Sequence, residues 1–259
     1  MRSKRPFFRA VALMFTLGMA SAVNAAVELT QADGSALLLE QPAERLVTLS
    51  PHLAELVYAA GAGDRLLATV AYSEYPPSAS DLPRVGDAFR LDIESIVALR
   101  PDLVVAWDSG NPRAAVEQLR TLGLRVWTIE IRRPAAIADT LRAIGRAIGG
   151  SADAERVASD LDARLRHLAR RYHDGSPVDY FYQVDANPLY TINGRHLISQ
   201  GLALCGGVNI FADEPGLAVQ VAHESVIAAN PDALFAPILQ GQPDPFEPWR
   251  RWPDLAAVS

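Results

Sequence analysis

The chain has 259 residues, a formal net charge of −6 and 49% hydrophobic residues. A chain of this length and composition can bury one or two substantial cores, and its single cysteine, Cys205, excludes an internal disulfide. The acidic balance, without any basic cluster in the body of the chain, argues against nucleic acid as a partner.

The first 25 residues have the pattern of a secretory signal peptide. An apolar stretch over 10–19 follows the basic residues Arg2, Lys4, Arg5 and Arg9. Small residues at 23 and 25 fit a signal-peptidase site, and no cysteine is present there to carry a lipid. The apolar stretch is too short to cross roughly 30 Å of hydrocarbon, and no other apolar run is long enough to cross a membrane. We therefore expect cleavage after Ala25, export to the periplasm, and a mature protein that is not inserted in the membrane.

Residues 46–148 alternate short apolar runs with helical segments. The strand candidates are 46–49, 66–70, 103–106 and 126–129. The helix candidates between and after them are 53–60, 93–99, 112–122 and 134–148. Strands that alternate with helices predict an α/β lobe with a mostly parallel sheet, and we assign residues 26–150 to it.

A single long helix is predicted next, over residues 151–175. Ser151 is suited to the N-cap, acidic residues occupy the first turn, and Gly175 followed by Pro177 ends the helix. At 1.5 Å per residue its length is roughly 34 Å. Its position between two similar parts of the chain predicts that it connects them.

A segment of the first half recurs in the second half. Residues 94–106, ESIVALRPDLVVA, return as residues 224–236, ESVIAANPDALFA. Both copies predict a short helix, a Pro-Asp turn and a buried strand. With a strand at 180–184 and a helix at 197–204, the repeat predicts a second Rossmann-like α/β lobe over 176–259, and a ligand cleft between the lobes. No counterpart of strand 126–129 follows, so we expect this lobe to be truncated at its C terminus.

The sequence contains no convincing catalytic constellation: it has no nucleophile elbow, no P-loop and no zinc-protease helix. His52, His196 and His223 could converge across the cleft as metal ligands, but their spacing does not support a metal site. We therefore expect no catalytic residues, no metal and no cofactor. A periplasmic enzyme is the alternative from another functional class.

Four aromatic residues follow strands of the first lobe: Tyr72, Tyr75, Phe89 and Trp107. Ligands of open α/β sheets bind beyond the carboxyl ends of the strands. Each aromatic side chain could simply pack its own loop. Together on one rim, however, they would form an apolar wall for a large flat ligand.

Glu94 and Glu224 occupy equivalent places in the repeat. An acid in the first turn of a helix is stabilised by roughly 0.3–1 kcal/mol through the helix dipole, which alone could explain either residue. The repetition favours a second interpretation, in which one acid from each lobe pairs with arginines of a two-fold symmetric partner.

Five segments carry a resemblance to a known family. They are residues 50–56 (SPHLAEL), 72–77 (YSEYPP), 93–107 (IESIVALRPDLVVAW), 118–123 (QLRTLG) and 205–211 (CGGVNIF). These segments resemble the periplasmic cobalamin-binding proteins of bacterial ABC importers, within the wider class that binds cobalamin, ferric siderophores and haem. The resemblance implies two α/β lobes joined by one rigid helix.

The resemblance also implies roles for individual residues. Tyr72 and Trp107 match aromatic ligand contacts, and Phe89 is the nearest substitute for a tryptophan that is absent from 86–89. Glu94 and Glu224 match the acids that dock onto arginines of the dimeric permease. The implied function is capture of cobalamin and its delivery to the permease.

The chain departs from the family pattern in the second lobe. Ala218 stands where a tryptophan is expected, and the family's closing strand and helix would lie beyond Ser259. Haem or a ferric siderophore is therefore the alternative ligand within the same class. For haem, Tyr72 or a histidine would serve as axial ligand.

Overall fold

The computed structural model describes residues 26–172, 174–238, 241 and 243–258. The predicted signal peptide, residues 1–25, lies outside the described residues. Among the residues that the structure describes, no helix is both long and apolar enough to cross a bilayer.

The strands and helices alternate along most of the described chain. The strands are β1 (Val27–Thr30), β2 (Ala36–Leu39), β3 (Leu46–Thr48), β4 (Leu66–Ala68), β5 (Leu103–Trp107), β6 (Val126–Ile129), β7 (Val178–Ala186), β8 (Leu189–Ile192), β9 (Gly207–Asn209), β10 (Ala218–Gln220) and β11 (Ala233–Phe235). The α-helices are α1 (Pro51–Ala59), α2 (Ile93–Ala98), α3 (Arg113–Thr121), α4 (Pro134–Ala147), α5 (Ala152–Tyr172), α6 (Leu197–Ala203) and α7 (His223–Ala229). Short 3-10 helices occupy 63–65, 77–81 and 247–251.

The first lobe is built on a four-stranded parallel sheet in the order β4-β3-β5-β6. Every residue of β3 and β6 is buried, as expected for a parallel sheet with both faces covered by helices. Two apolar clusters fill the two faces. One packs the sheet against α1, α4 and α5, and the other packs it against α2 and α3. The predicted α/β lobe with a parallel sheet is confirmed.

A β-hairpin that was not predicted from the sequence precedes this sheet. β1 and β2 pair antiparallel, and their buried residues Leu29 and Leu39 join the core that includes α4. The indole nitrogen of Trp127 in β6 donates to the carbonyl of Thr30 at 2.8 Å. The hairpin therefore covers the β6 side of the first lobe.

Helix α5 follows the first lobe and is fastened to it along α4. Its first turn is capped by Ser151, whose hydroxyl oxygen accepts the backbone N–H of Ala154 at 3.1 Å. Arg142 of α4 pairs with Glu155 and Asp162 of α5 at 3.1 and 2.9 Å. With 21 residues, α5 is a rod of about 31 Å that connects the first lobe to the second.

The second lobe contains a mixed five-stranded sheet. The first half of β7 pairs in parallel with β9 and β11, and its second half pairs antiparallel with β8, which in turn pairs with β10. A separate core packs around Phe181 and Trp249. The predicted strand at 180–184 lies inside β7, whereas β8, β9 and β10 were not predicted.

The sequence repeat is also a structural repeat. The backbone N–H of Asp102 donates to the carbonyl of Arg45 at 2.8 Å, and its carboxylate accepts the N–H of Arg45 at 3.0 Å. Asp232 makes the same two bonds with Asp179, at 2.8 and 3.0 Å. The residue before each Pro-Asp pair has a positive φ, 47° in one copy and 45° in the other. Each lobe therefore contains the same helix, turn and strand, docked in the same way onto a neighbouring parallel strand.

Candidate functional site

A cleft of about 550 Å³ lies between the two lobes. The first lobe lines it from α1, the ends of β5 and β6, and α4; the second lobe lines it from the start of α6 and the segment before β10. Apolar side chains form much of both walls: Leu56, Trp107, Ile131, Leu197, Ile198 and Leu217. An apolar cleft of this volume between two lobes is typical of a small-molecule site. A ligand cleft between the lobes is also what the sequence predicts.

Trp107 is the aromatic residue of this cleft. It is the last residue of β5, so its side chain leaves the sheet at the carboxyl ends of the strands. The ring of His52 packs edge-on against the indole, with ring centres 5.3 Å apart and planes at 90°. Gly110 lies so close to the indole that an added Cβ would overlap the six-membered ring. Trp107 is therefore held in one position by its neighbours.

Asn111, which was not among the residues predicted for the site, organises the loops around Trp107. Its side-chain oxygen accepts the backbone N–H of Trp107 at 2.7 Å. Its buried amide nitrogen donates to the carbonyls of Leu49 and Ala88, at 2.8 and 3.0 Å. One side chain thus connects the ends of β3 and β5 to the loop that carries Phe89. The available signal was an asparagine in a Ser-Gly-Asn-Pro turn directly after a strand.

Tyr72 and Phe89 lie in neighbouring loops, but neither lines the cleft. The N–H of Ala71 donates to the carbonyl of Gly86 at 2.8 Å, which holds the two loops together. The side chains are 81% and 74% exposed, and Tyr75 is exposed as well. Tyr72 has a φ of 66°, a strained conformation for a residue with a side chain. The structure therefore brings the three aromatic loops together but places only Trp107 in the wall of the cleft.

Charged side chains of both signs meet at the edge of the cleft. The carboxylate of Glu130 accepts the backbone N–H of Ser109 at 3.0 Å and lies 3.7 Å from the guanidinium of Arg132. From the other lobe, Arg195 donates to the carbonyl of Pro215. Two acids, Glu55 and Glu130, and two arginines, Arg132 and Arg195, line the cleft, so their formal charges balance.

Two of the three histidines considered as metal ligands do face the cleft, from opposite lobes. His52 lines it from α1, and His196 lines it from the N-cap of α6. Burial lowers the pKa of both imidazoles, and for His52 the charge of Glu130 opposes this shift. His223 lies elsewhere, with its ring 5.2 Å from Trp249. Within the described part of the chain, no three histidine, cysteine or acidic side chains are grouped to hold a metal ion.

Glu94 and Glu224 occupy the first turns of α2 and α7, outside the cleft. Both are exposed, and neither carboxylate has a hydrogen-bond or ion-pair partner within the described ranges. The N-cap of α2 is instead satisfied by Asp92, which accepts the N–H of Ser95 at 3.0 Å. The two acids are therefore equivalent in the repeat and accessible to a partner from solvent.

Comparison with known proteins gives a consistent result. The sequence profile of a family described as periplasmic binding protein matches residues 46–257. The vitamin B12-binding protein of Vibrio cholerae is 38% identical over 221 residues, which are 84% of this chain and 78% of that protein. The vitamin B12-binding protein of Yersinia pestis is 37% identical over 204 residues, 79% of this chain and 73% of its own length.

Solved structures share the same fold. The periplasmic vitamin B12-binding protein of Vibrio cholerae has a TM-score of 0.75 at 37% identity, and the match covers 84% of this chain and 85% of that one. A periplasmic haem-binding protein from Roseiflexus has a TM-score of 0.64 at 27% identity, covering 74% of this chain and 76% of its own. A periplasmic haem-binding protein from Pseudomonas aeruginosa, at 22% identity and a TM-score of 0.71, shares the fold.

Proposed function

The chain belongs to the periplasmic binding protein family, and we propose that it captures cobalamin or a related corrinoid between its lobes and delivers it to the permease of an ABC importer. The observation that carries this proposal is an apolar cleft between the lobes with Trp107 in its wall, in a chain similar over most of its length to vitamin B12-binding proteins. A planar macrocycle gains about 25 cal/mol per Å² of apolar surface that it buries. Binding of that kind needs no strong ionic anchor, which suits the balanced charges at the cleft.

The exposed aromatic residues have a place in this proposal. A corrinoid is larger than the drug-sized ligands that a cleft of about 550 Å³ accommodates, so part of it must extend onto the rim. Tyr72 and Phe89 are exposed, and their loops adjoin the loop after Trp107. We propose that both side chains contact the part of the ligand that extends beyond the cleft.

The remaining assignments follow from the same proposal. The protein acts in the periplasm after cleavage at Ala25, without membrane insertion, catalytic residues or a resident cofactor. Glu94 and Glu224 dock, one from each lobe, onto arginines of the permease dimer. Their exposure and their equivalent positions in the repeat support this role.

Haem is the second candidate ligand. Two observations favour it: the fold match to a haem-binding protein at 27% identity, and two imidazoles at the cleft. The ring of haem is also planar and largely apolar, so Trp107 would serve the same purpose for it. The two ligands differ in the metal and in the polarity of their side groups, so direct titration distinguishes them.

The experiment that tests the function is isothermal titration of the mature protein, residues 26–259, with cyanocobalamin and separately with haemin. We expect stoichiometric binding of cyanocobalamin and at least tenfold weaker binding of haemin. Tighter binding of haemin would mean that haem is the ligand, while the chain would still be a binding protein of this class. Binding of neither would contradict both assignments. Recovery of each ligand unchanged after incubation would distinguish a binding protein from an enzyme.

Gly110→Ala tests whether the position of the indole matters, without removing an aromatic ring. The added methyl group would overlap the indole of Trp107, so the indole must shift. We expect the affinity for cyanocobalamin, measured by titration, to fall about threefold to tenfold. Gly201→Ala is the control, because Gly201 has open space around its Cβ position. Gly123→Ala would be a poor control, because Gly123 has a φ of 86°. If both variants bound cyanocobalamin with equal affinity, the position of the indole would not affect ligand binding.

A further inference from the structure

Two imidazoles face the cleft from opposite lobes, and their hydrogen bonds differ. His196 uses Nδ1 to accept the backbone N–H of Ile198 at 3.2 Å. A nitrogen that accepts a hydrogen bond carries no proton, so the proton of neutral His196 is on Nε2. Coordination of a metal through Nε2 would move that proton to Nδ1 and leave the amide of Ile198 without its acceptor. His196 can therefore donate a hydrogen bond to a ligand, but it is poorly placed to coordinate a metal.

The hydrogen-bond partner of His52 allows the ring proton to be on Nδ1, the opposite of the arrangement in His196. Its Nδ1 lies 3.1 Å from the hydroxyl oxygen of Ser50, which is fully buried. A hydroxyl can either donate or accept, so Ser50 accommodates a proton on Nδ1 without any movement of heavy atoms. Nε2 has no hydrogen-bond partner in the part of the chain that the structure describes. A metal-binding histidine commonly has this arrangement, with the far nitrogen held by an oxygen and the near nitrogen available.

Packing and protonation also favour His52. The ring is held edge-on against Trp107, the aromatic wall of the cleft, so it does not need to be ordered when a ligand binds. Burial lowers its pKa below the ordinary value of 6.5, and the neutral form, which has a free lone pair, predominates at pH 7. A fixed, neutral imidazole beside the surface that receives a planar macrocycle is suited to axial coordination.

We infer that His52 is an axial ligand for the metal of a bound macrocycle whose axial position is labile, as it is in aquacobalamin. This inference rests on the proposed function. The Nε2 lone pair forms the cobalt–nitrogen bond while the bound water leaves with its own electron pair. The proton stays on Nδ1 against Ser50, and no oxidation or reduction takes place. Cyanocobalamin, whose cyanide is not displaced, would bind through the apolar walls alone.

The test compares aquacobalamin with cyanocobalamin by visible spectroscopy and isothermal titration. For the unmodified chain we expect the spectrum of bound aquacobalamin to change from the aqua form to the imidazole-coordinated form. We also expect aquacobalamin to bind to the unmodified chain at least tenfold more tightly than cyanocobalamin does. In His52→Gln the spectral change should be lost and the affinity ratio should fall to about one. His167→Gln, an exposed histidine of α5 that does not line the cleft, is the matched control and should keep the spectral change. The affinity ratio within each variant removes any general effect of the substitution on the cleft.

Each outcome decides a different question. Equal binding of the two corrinoids by the unmodified chain, with no spectral change, would overturn axial coordination and leave the proposed function standing. A spectral change that persists in His52→Gln would overturn the assignment to His52. Binding of neither corrinoid would overturn the proposed function together with this inference. The first of these results needs no variant, so a folding defect in His52→Gln does not prevent the decision.

Discussion

We expect Trp107→Ala to weaken the binding of cyanocobalamin about 30-fold to 100-fold, which corresponds to about 2–3 kcal/mol. The substitution removes the aromatic wall of the cleft at the end of β5, together with the surface against which His52 packs. Buried aromatic anchors at the centre of a binding site commonly have effects of this size. Titration of the mature protein with cyanocobalamin measures the change directly.

The fold should tolerate this substitution. Asn111 accepts the backbone N–H of residue 107, and that hydrogen bond does not depend on the side chain. A thermal unfolding curve checks the expectation. Leu122→Ala is the matched control, because Leu122 is 52% exposed and does not line the cleft, so its loss should leave the affinity unchanged. If the affinity of Trp107→Ala for cyanocobalamin stayed within threefold of that of the unmodified chain, Trp107 would not be part of the site.

The sequence predicted the first lobe well because its strands are short, continuous apolar runs separated by amphipathic helices. That pattern occurs when a parallel sheet is covered on both faces. The second lobe was predicted less completely: the repeat at 224–236, the strand inside β7 and helix α6 were predicted, but β8, β9 and β10 were not. Strands β9 and β10 have three residues each, too few for a hydrophobic period, and they exist because β7 and β8 pair with them. The hairpin at 27–39 likewise depends on burial against β6 and α4.

The candidate site, like the fold, was predictable only in part. Trp107 ends a buried strand, and strand direction alone places such a residue at the carboxyl edge of the sheet. The directions of Tyr72 and Phe89 were not predictable, because each depends on loop backbone such as the positive φ at Tyr72 and at Gly86. Asn111 was missed for a related reason. Its importance comes from three backbone groups that are distant in sequence and meet only in the folded chain.

We expect the double variant Glu94→Ala, Glu224→Ala to lower uptake through the permease at least tenfold while the affinity for cyanocobalamin stays unchanged. Both carboxylates are exposed, unpaired within the described ranges, and outside the cleft, so their removal disturbs neither the fold nor the ligand site. In the proposed docking, by contrast, each loss leaves an arginine of the permease without its partner, and truncation of one member of a desolvated charge pair is costly. Transport of labelled cobalamin into vesicles that contain the permease measures uptake, and isothermal titration measures the affinity.

The equivalent positions of the two acids also predict how the effects of the single and double variants on uptake should compare. If each lobe contacts one half of a two-fold symmetric permease, the single variants should have similar, smaller effects, about threefold to tenfold each, and the double variant should approach their product. The double variant Glu44→Ala, Asp254→Ala removes the same charge from exposed sites, one in each lobe, and should transport normally. If this control lost as much uptake, overall charge would explain the effect. If only one of the two acids mattered, the equivalence of the repeat would not extend to docking, because a two-fold partner has to treat Glu94 and Glu224 alike.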